Sequence, residues 1–188
     1  SNVAVNELYA KDVNAILERL DQELNDNQIL FVNLHSLVKD DVPVDGYKHI
    51  FPFPNIDNYE FLNCVDVLIS DYSSVFFDFS ITKKPIVLFM YDYEEYMSDR
   101  GTYFDARTLP FEKIYTLDKL VEYIHLENKG VHNYDGLNDY YLQFNQYDSL
   151  DCTQKLNEYF FDDNQNDLQV FDYSYNKDVH HTLYFAPK

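Results

Sequence analysis

Val65–Asp78, VDVLISDYSSVFFD, decides how the rest of the chain is read. Val65, Val67, Leu68 and Ile69 make an apolar run of strand length, which periodicity alone does not separate from buried helix. The flanks separate them. Asp71, Tyr72, Ser73 and Ser74 bring a carboxylate and hydroxyls suited to capping, and Val75, Phe76 and Phe79 then fall at i, i+1 and i+4, as one buried helix face would. The reading is strand, tight turn, helix. In an open α/β sheet the carboxyl ends of the strands face the ligand crevice, and a helix N-terminus there offers N–H groups to an anion. Ser73 and Ser74 are therefore expected at an anion site, with plain helix capping as the alternative, since capping alone selects serine.

Upstream, Lys11–Asn25 places Val13, Ile16, Leu17, Leu20 and Leu24 on one helical stripe. Ile29–Leu34 reads as a buried strand ending at His35, Tyr47–Phe53 as a second one closed by prolines, and Tyr59–Cys64 as a short helix leading into Val65. Downstream, Lys83-Lys84-Pro85 is a turn and Ile86–Tyr91 a buried strand, after which Asp92 caps an acidic helix that stops at Arg100-Gly101. Phe111–Tyr115 is extended, and Thr116 caps a helix with Leu117, Leu120, Val121 and Ile124 on one face. Strands alternating with helices predict βαβ units and a parallel sheet. Beyond Gly130 the pattern is helical, 162–167 is a polar linker, and the tail alternates about Asn176-Lys177-Asp178 as a β-hairpin would. The expected domains are 1–161 and a linker with hairpin tail, 162–188.

With 14 basic against 33 acidic residues the formal charge is −19, which opposes a nucleic-acid partner whose affinity comes from phosphate neutralisation. Cys64 and Cys152 stand apart from each other and from histidines at metal spacing, so no zinc site or disulfide framework is signalled and a reduced compartment is expected. No apolar run approaches the roughly 18 residues that span a bilayer. Ser1-Asn2 looks like the remnant of a cleaved tag, so the chain reads as a piece of a longer protein.

Walker-type, dinucleotide-binding, nucleophile-elbow and H-E-x-x-H motifs are absent, and 4 glycines in the whole chain cannot build a glycine-rich phosphate cradle. Ordinary NTPase and NAD chemistry is disfavoured. His35, at a strand end on the same sheet edge as Asp71, could stabilise a leaving diphosphate or act as an acid when protonated, or serve structure alone. Asp71 would repel a phosphate and so suits organising its loop. Arg100 has the fork that fits phosphate, with a salt bridge to Glu94, Glu95 or Asp99 as the alternative.

Taken together, Ser70–Ser74 (S-D-Y-S-S), Phe77-Asp78, Lys84-Pro85, Tyr91-Asp92 and Arg100–Asp105 (R-G-T-Y-F-D) resemble the donor-binding region of the CDP-glycerol glycerophosphotransferases, the teichoic acid primases and polymerases. The resemblance implies the C-terminal half of a glycosyltransferase-B type fold: a Rossmann-like, three-layer α/β sandwich with a parallel sheet, here carrying a short C-terminal β appendage. It implies CDP-glycerol or CDP-ribitol as donor, no metal or other cofactor, and transfer of the alditol phosphate in cell-surface polymer synthesis. It places Ser73, Ser74, Asp71 and Arg100 at the donor and His35 at the diphosphate, although Ser36 replaces the proline that usually follows that histidine. The other half of such an enzyme, with the histidine that acts as general base, and the strand that opens the donor half are expected to lie outside this sequence. A fragment of this kind is expected to bind without turning over, and to meet the cytoplasmic membrane face only through the parent protein. Two other readings stay open: a non-catalytic interaction module built on the same fold, and half of a nucleotide-sugar glycosyltransferase.

Overall fold

The computed structural model describes residues 2–34, 42–99, 101, 104–127, 134–146, 148–161, 168–171 and 184–187. The chain divides into two compact units, Ser1–Gly136 and Leu137–Lys188. The first unit begins with helix α1 (Asn2–Glu23), followed by β1 (Leu30–Val32), β2 (Ile50–Pro52), α2 (Asn58–Cys64) and β3 (Leu68–Ser70). It continues with α3 (Val75–Ser80), β4 (Ile86–Phe89), α4 (Tyr93–Asp99), a 3-10 turn (Ala106–Thr108), β5 (Glu112–Ile114) and α5 (Leu117–Ile124). The fold class is the expected one, α/β with parallel strands joined by helices.

The strands form two ladders. β1 pairs with β2, and β3, β4 and β5 pair in chain order, every pairing in the first unit being parallel. Leu30 donates its N–H to His49 O and Phe53 to Val32 O, so strand alternation turns the backbone of Phe31 away from β2. Leu68 likewise donates to Pro85 O, and Ile69 turns away from β4. β1 and β3 are therefore edge strands among the described residues. One apolar core serves both ladders: Val13, Leu17 and Leu20 of α1, Ile50 of β2, Val87 and Phe89 of β4, Ile114 of β5, and Leu120, Val121, Tyr123 and Ile124 of α5 pack together, with Leu30, Val32, Val67 and Ile69 against them.

β4 is buried at every residue, as its unbroken apolar run predicts, but Val67, Leu68 and Ile69 are only partly buried. Ile29 and Phe31, expected in a buried strand, are exposed; Phe31 and Phe51 share a register position, and the ring of Phe61 from α2 meets Phe31 edge-on at 4.9 Å. The strands are also shorter than the apolar runs that mark them, since a run continues into loop residues that pack without joining a ladder.

Asp21 ties α1 to the entry of β2: its carboxylate accepts the N–H of His49 at 2.7 Å and that of Lys48 at 3.1 Å. Burial opposes ionisation of Asp21, but these backbone bonds and the His49 ring outweigh it and hold the carboxyl below its usual 3.8. A carboxylate with a depressed folded pKa stabilises above its unfolded pKa and loses that contribution as pH falls through the folded value. Asp21→Asn is thus expected to cost about 1 kcal/mol at pH 7, a melting shift of roughly 2–4 °C. The gap to the unsubstituted protein should shrink below about pH 4. Thermal melts at neutral and acid pH check this, and a gap that widens in acid would refute it.

In the second unit, the end of α6 (Tyr134–Tyr140) leads into a π-helical turn (Tyr141–Asn145) and α7 (Cys152–Phe161). β6 (Leu168–Phe171) and β7 (Tyr184–Pro187) pair antiparallel, Leu168 opposite Pro187 and Phe171 opposite Tyr184, which is the β appendage expected of the tail. The turn expected at Asn176-Lys177-Asp178 lies outside the described residues.

Candidate functional site

Because β3, β4 and β5 are parallel neighbours, their carboxyl ends share one edge of the sheet, and the loops that leave them form the candidate site. After β3 the chain turns through Asp71-Tyr72-Ser73-Ser74 into α3. The Asp71 carboxylate accepts the Ser73 N–H at 3.1 Å, closing an Asx-type turn. Ser74 is the N-cap residue of α3, yet its backbone is helical and its side chain makes no capping bond; Ser73 Oγ stands 3.5 Å from Val75 N–H, at the limit of such a contact. The Ser74 hydroxyl is therefore not used in capping and that of Ser73 only accepts, which leaves both able to donate, and Asp71, Ser73 and Ser74 are all exposed. α3 spans six residues, Val75–Ser80, and is seated by Phe76 and Phe79, both buried.

The loop after β4 lies beside this turn. Asp92, expected as a helix cap, directly precedes α4, and its carboxylate accepts the phenol of Tyr72 at 3.0 Å, while the Tyr72 ring stacks on Tyr96 of α4 with centroids 3.7 Å apart and planes at 18°. Burial first, then the Asp92 carboxylate, pushes the Tyr72 phenol well above the usual tyrosine range, so it stays a donor at any working pH. Tyr93 donates to Asp105 Oδ1 at 3.0 Å, Asp105 is gripped by the Arg107 guanidinium through bonds of 2.7–3.0 Å, and Arg107 lies over the Tyr93 ring at 4.7 Å. The Arg107 fork holds the Asp105 carboxyl well below the usual carboxylate range.

A cleft of about 440 Å³ opens at the carboxyl ends of β4 and β5, lined by Tyr91, Asp92, Tyr93, Glu94, Arg107 and Tyr115 among others. The Ser73-Ser74 turn is outside its lining, and Tyr72, beside Ser73, bonds to Asp92 of its wall. The structure brings Asp71, Ser73 and Ser74 together in that turn. His35 and Arg100 lie outside the described residues. Lys84, part of the Lys-Pro motif, sits at the opposite end of β4, where its ammonium donates to Asn63 O and Val65 O at 2.7 Å each and anchors the entry to β3. Its place excludes it from the carboxyl-edge loops.

A model of the CDP-glycerol:poly(glycerophosphate) glycerophosphotransferase family matches residues 3–162. The chain belongs to this family. Over 146 residues it is 33% identical to the teichoic acid poly(glycerol phosphate) polymerase of Bacillus spizizenii, covering 76% of this chain and 37% of that protein. Among solved structures, the wall teichoic acid polymerase TagF is similar at 26% identity with a TM-score of 0.66, over 78% of this chain and 37% of that one. A variant of the same polymerase soaked with CDPG is similar at 28% identity with a TM-score of 0.65. The chain thus spans a little over a third of these relatives' length and has the α/β fold of a glycerophosphotransferase domain.

Tyr72, Tyr93, Tyr96 and Arg107 escaped the sequence reading. Asp92 and Asp105 were within the family motifs, Asp92 as a helix cap alone and Asp105 without a role. Only the motif pair Tyr91-Asp92 hinted at the contact, because the partners are 20 residues apart and meet through a strand pairing.

Proposed function

We propose that this glycerophosphotransferase domain holds the CDP-alditol donor, with the Ser73-Ser74 turn at the diphosphate. The observation that carries the reading is the pair of exposed serine hydroxyls left able to donate, at the carboxyl end of a parallel strand whose loop Tyr72 bonds to the wall of a cleft. Family membership and the CDPG soak of the related polymerase support the choice of donor. Asp71 keeps its carboxylate turned into the loop on Ser73 N–H, where it sets the turn. His35, in the connection that leaves β1, and Arg100, after α4, are assigned to the diphosphate by the same reading, as a proton donor or charge partner and as a charge partner respectively.

In the whole enzyme, an acceptor hydroxyl attacks the donor's β-phosphorus, the new P–O bond forms as the bond to CMP breaks, and the hydroxyl proton passes to a base in the remainder of the protein. Donors at the diphosphate stabilise the charge that develops on the departing CMP. Such a parent enzyme works at the cytoplasmic face of the membrane, where its acceptor polymer is built. No described helix is long and apolar enough to cross a bilayer, so this domain would reach that face through the rest of the protein.

Calorimetric titration tests the reading. CDP-glycerol is expected to bind at millimolar affinity or tighter, with CMP weaker and UDP-glucose silent. CDP-ribitol binding better than CDP-glycerol would move the assignment to the ribitol branch, and a preference for UDP-glucose would move it to nucleotide-sugar transfer. No heat from any of them would leave the fold as an interaction module.

A further inference from the structure

We propose that Tyr72 is the positioning residue of the donor site, fixing the Ser73-Ser74 turn against the β4–α4 loop through its bond to Asp92 and its stack on Tyr96. This inference rests on the donor reading above and adds to it the device that sets the geometry of the two hydroxyls.

The turn has little else to hold it. Its own bonds are the Asp71 contact to Ser73 N–H and the 3.5 Å approach of Ser73 Oγ to Val75 N–H, both exposed, and α3 behind it completes fewer than two turns. Tyr72 stands between Asp71 and Ser73, so any swing of its backbone moves both neighbours. Its phenol reaches Asp92 and its ring lies flat on Tyr96 with a second, tilted contact to Tyr93 at 6.5 Å. Tyr93 in turn is fastened through Asp105 to Arg107, which precedes β5. The loops around three neighbouring strands are linked by side chains, and among the described residues Tyr72 brings the β3 loop into that linkage. A hydroxyl pair that must meet a diphosphate within hydrogen-bond range needs such a reference point, because misplacement by about 1 Å at a binding group costs much of its effect. Asp92 cannot contact the diphosphate without like-charge repulsion, and its bond to Tyr72 gives it a different part.

Tyr72→Phe in the full chain isolates the hydrogen bond, since phenylalanine keeps the ring and its stack. The expected result is a melting temperature within a few degrees of the unsubstituted protein, faster amide exchange over Asp71–Val75, and CDP-glycerol binding at least fivefold weaker. Asp92→Ala, which removes the acceptor of the phenol, should match Tyr72→Phe in both exchange and affinity. Exchange over Asp71–Val75 unchanged in Tyr72→Phe overturns the proposal, and so does faster exchange with affinity intact. If the unsubstituted protein itself binds no CDP-glycerol, the donor reading has failed and the positioning role falls with it, an outcome separate from the other two.

Discussion

A protein carrying Ser73→Ala and Ser74→Ala together is expected to bind CDP-glycerol about 100-fold more weakly than the unsubstituted chain, with its fold intact. In the proposed donor site each hydroxyl would donate to a charged phosphate oxygen, a bond worth about 1.5–3 kcal/mol, so the pair would be worth roughly 3 kcal/mol even if the two are not additive. The expectation of an intact fold comes from the exposure of both side chains and from the missing cap bond at Ser74, which leave no interior contact to lose. Substitutions of this kind usually stay within about 0.5 kcal/mol in stability. Titration calorimetry and a thermal melt on the same sample decide it. Unaltered affinity would remove the two serines from the donor site, whereas a collapse of the melt would show that they belong to the framework.

Phe79→Ala is the complementary case, expected to cost about 3–5 kcal/mol of stability. Phe79 is 1% exposed, one of the most deeply buried side chains described, and it seats α3 while the neighbouring Phe76, also buried, meets Phe111 at 6.0 Å. A six-residue helix has too few internal bonds to form without its packing, so losing this anchor releases the turn that presents Ser73 and Ser74. A loss of that size is a large part of the roughly 5–15 kcal/mol that holds an ordinary domain. Urea denaturation measures it directly. A loss below about 1 kcal/mol would mean that neighbours refill the site and that the anchor lies elsewhere.

Much of this arrangement was legible in the residues and some was not, for reasons that differ by element. Ile86–Tyr91 was read as a buried strand, and Ile86–Phe89 of it is β4, because a central strand shows itself as unbroken apolar sequence; Thr116 was read correctly because its hydroxyl does cap α5, accepting the Lys119 N–H at 3.3 Å. Ile29–Leu34 was read as buried because sequence shows apolar character but not which face of a strand is covered: Leu30, Val32 and Leu34 pack against the core, whereas Ile29 and Phe31 are exposed. The serine turn was found from its chemistry, whereas the absence of a cap bond at the Ser74 side chain depends on rotamer and backbone geometry that sequence does not show. Tyr72 was invisible as a structural device. A chain with 18 tyrosines gives no reason to single one out, and the contact that defines its role is made across neighbouring strands.

The division of the strands into two ladders has a consequence for how the domain assembles and opens. β3, β4 and β5 are neighbours both in sequence and in space, each joined to the next by one short crossover, and β1 and β2 are likewise adjacent. Each ladder can close on local contacts, without waiting for a distant segment, which is the arrangement that folds quickly. Between them no ladder bond is described, and side chains of the shared core make the join. That seam is where a cooperative unit would part first under mild denaturant, with β3, β4 and β5 leaving as one foldon. The serine turn and the β4 loop that braces it belong to that foldon, so their geometry relative to each other should outlast the first opening of the domain.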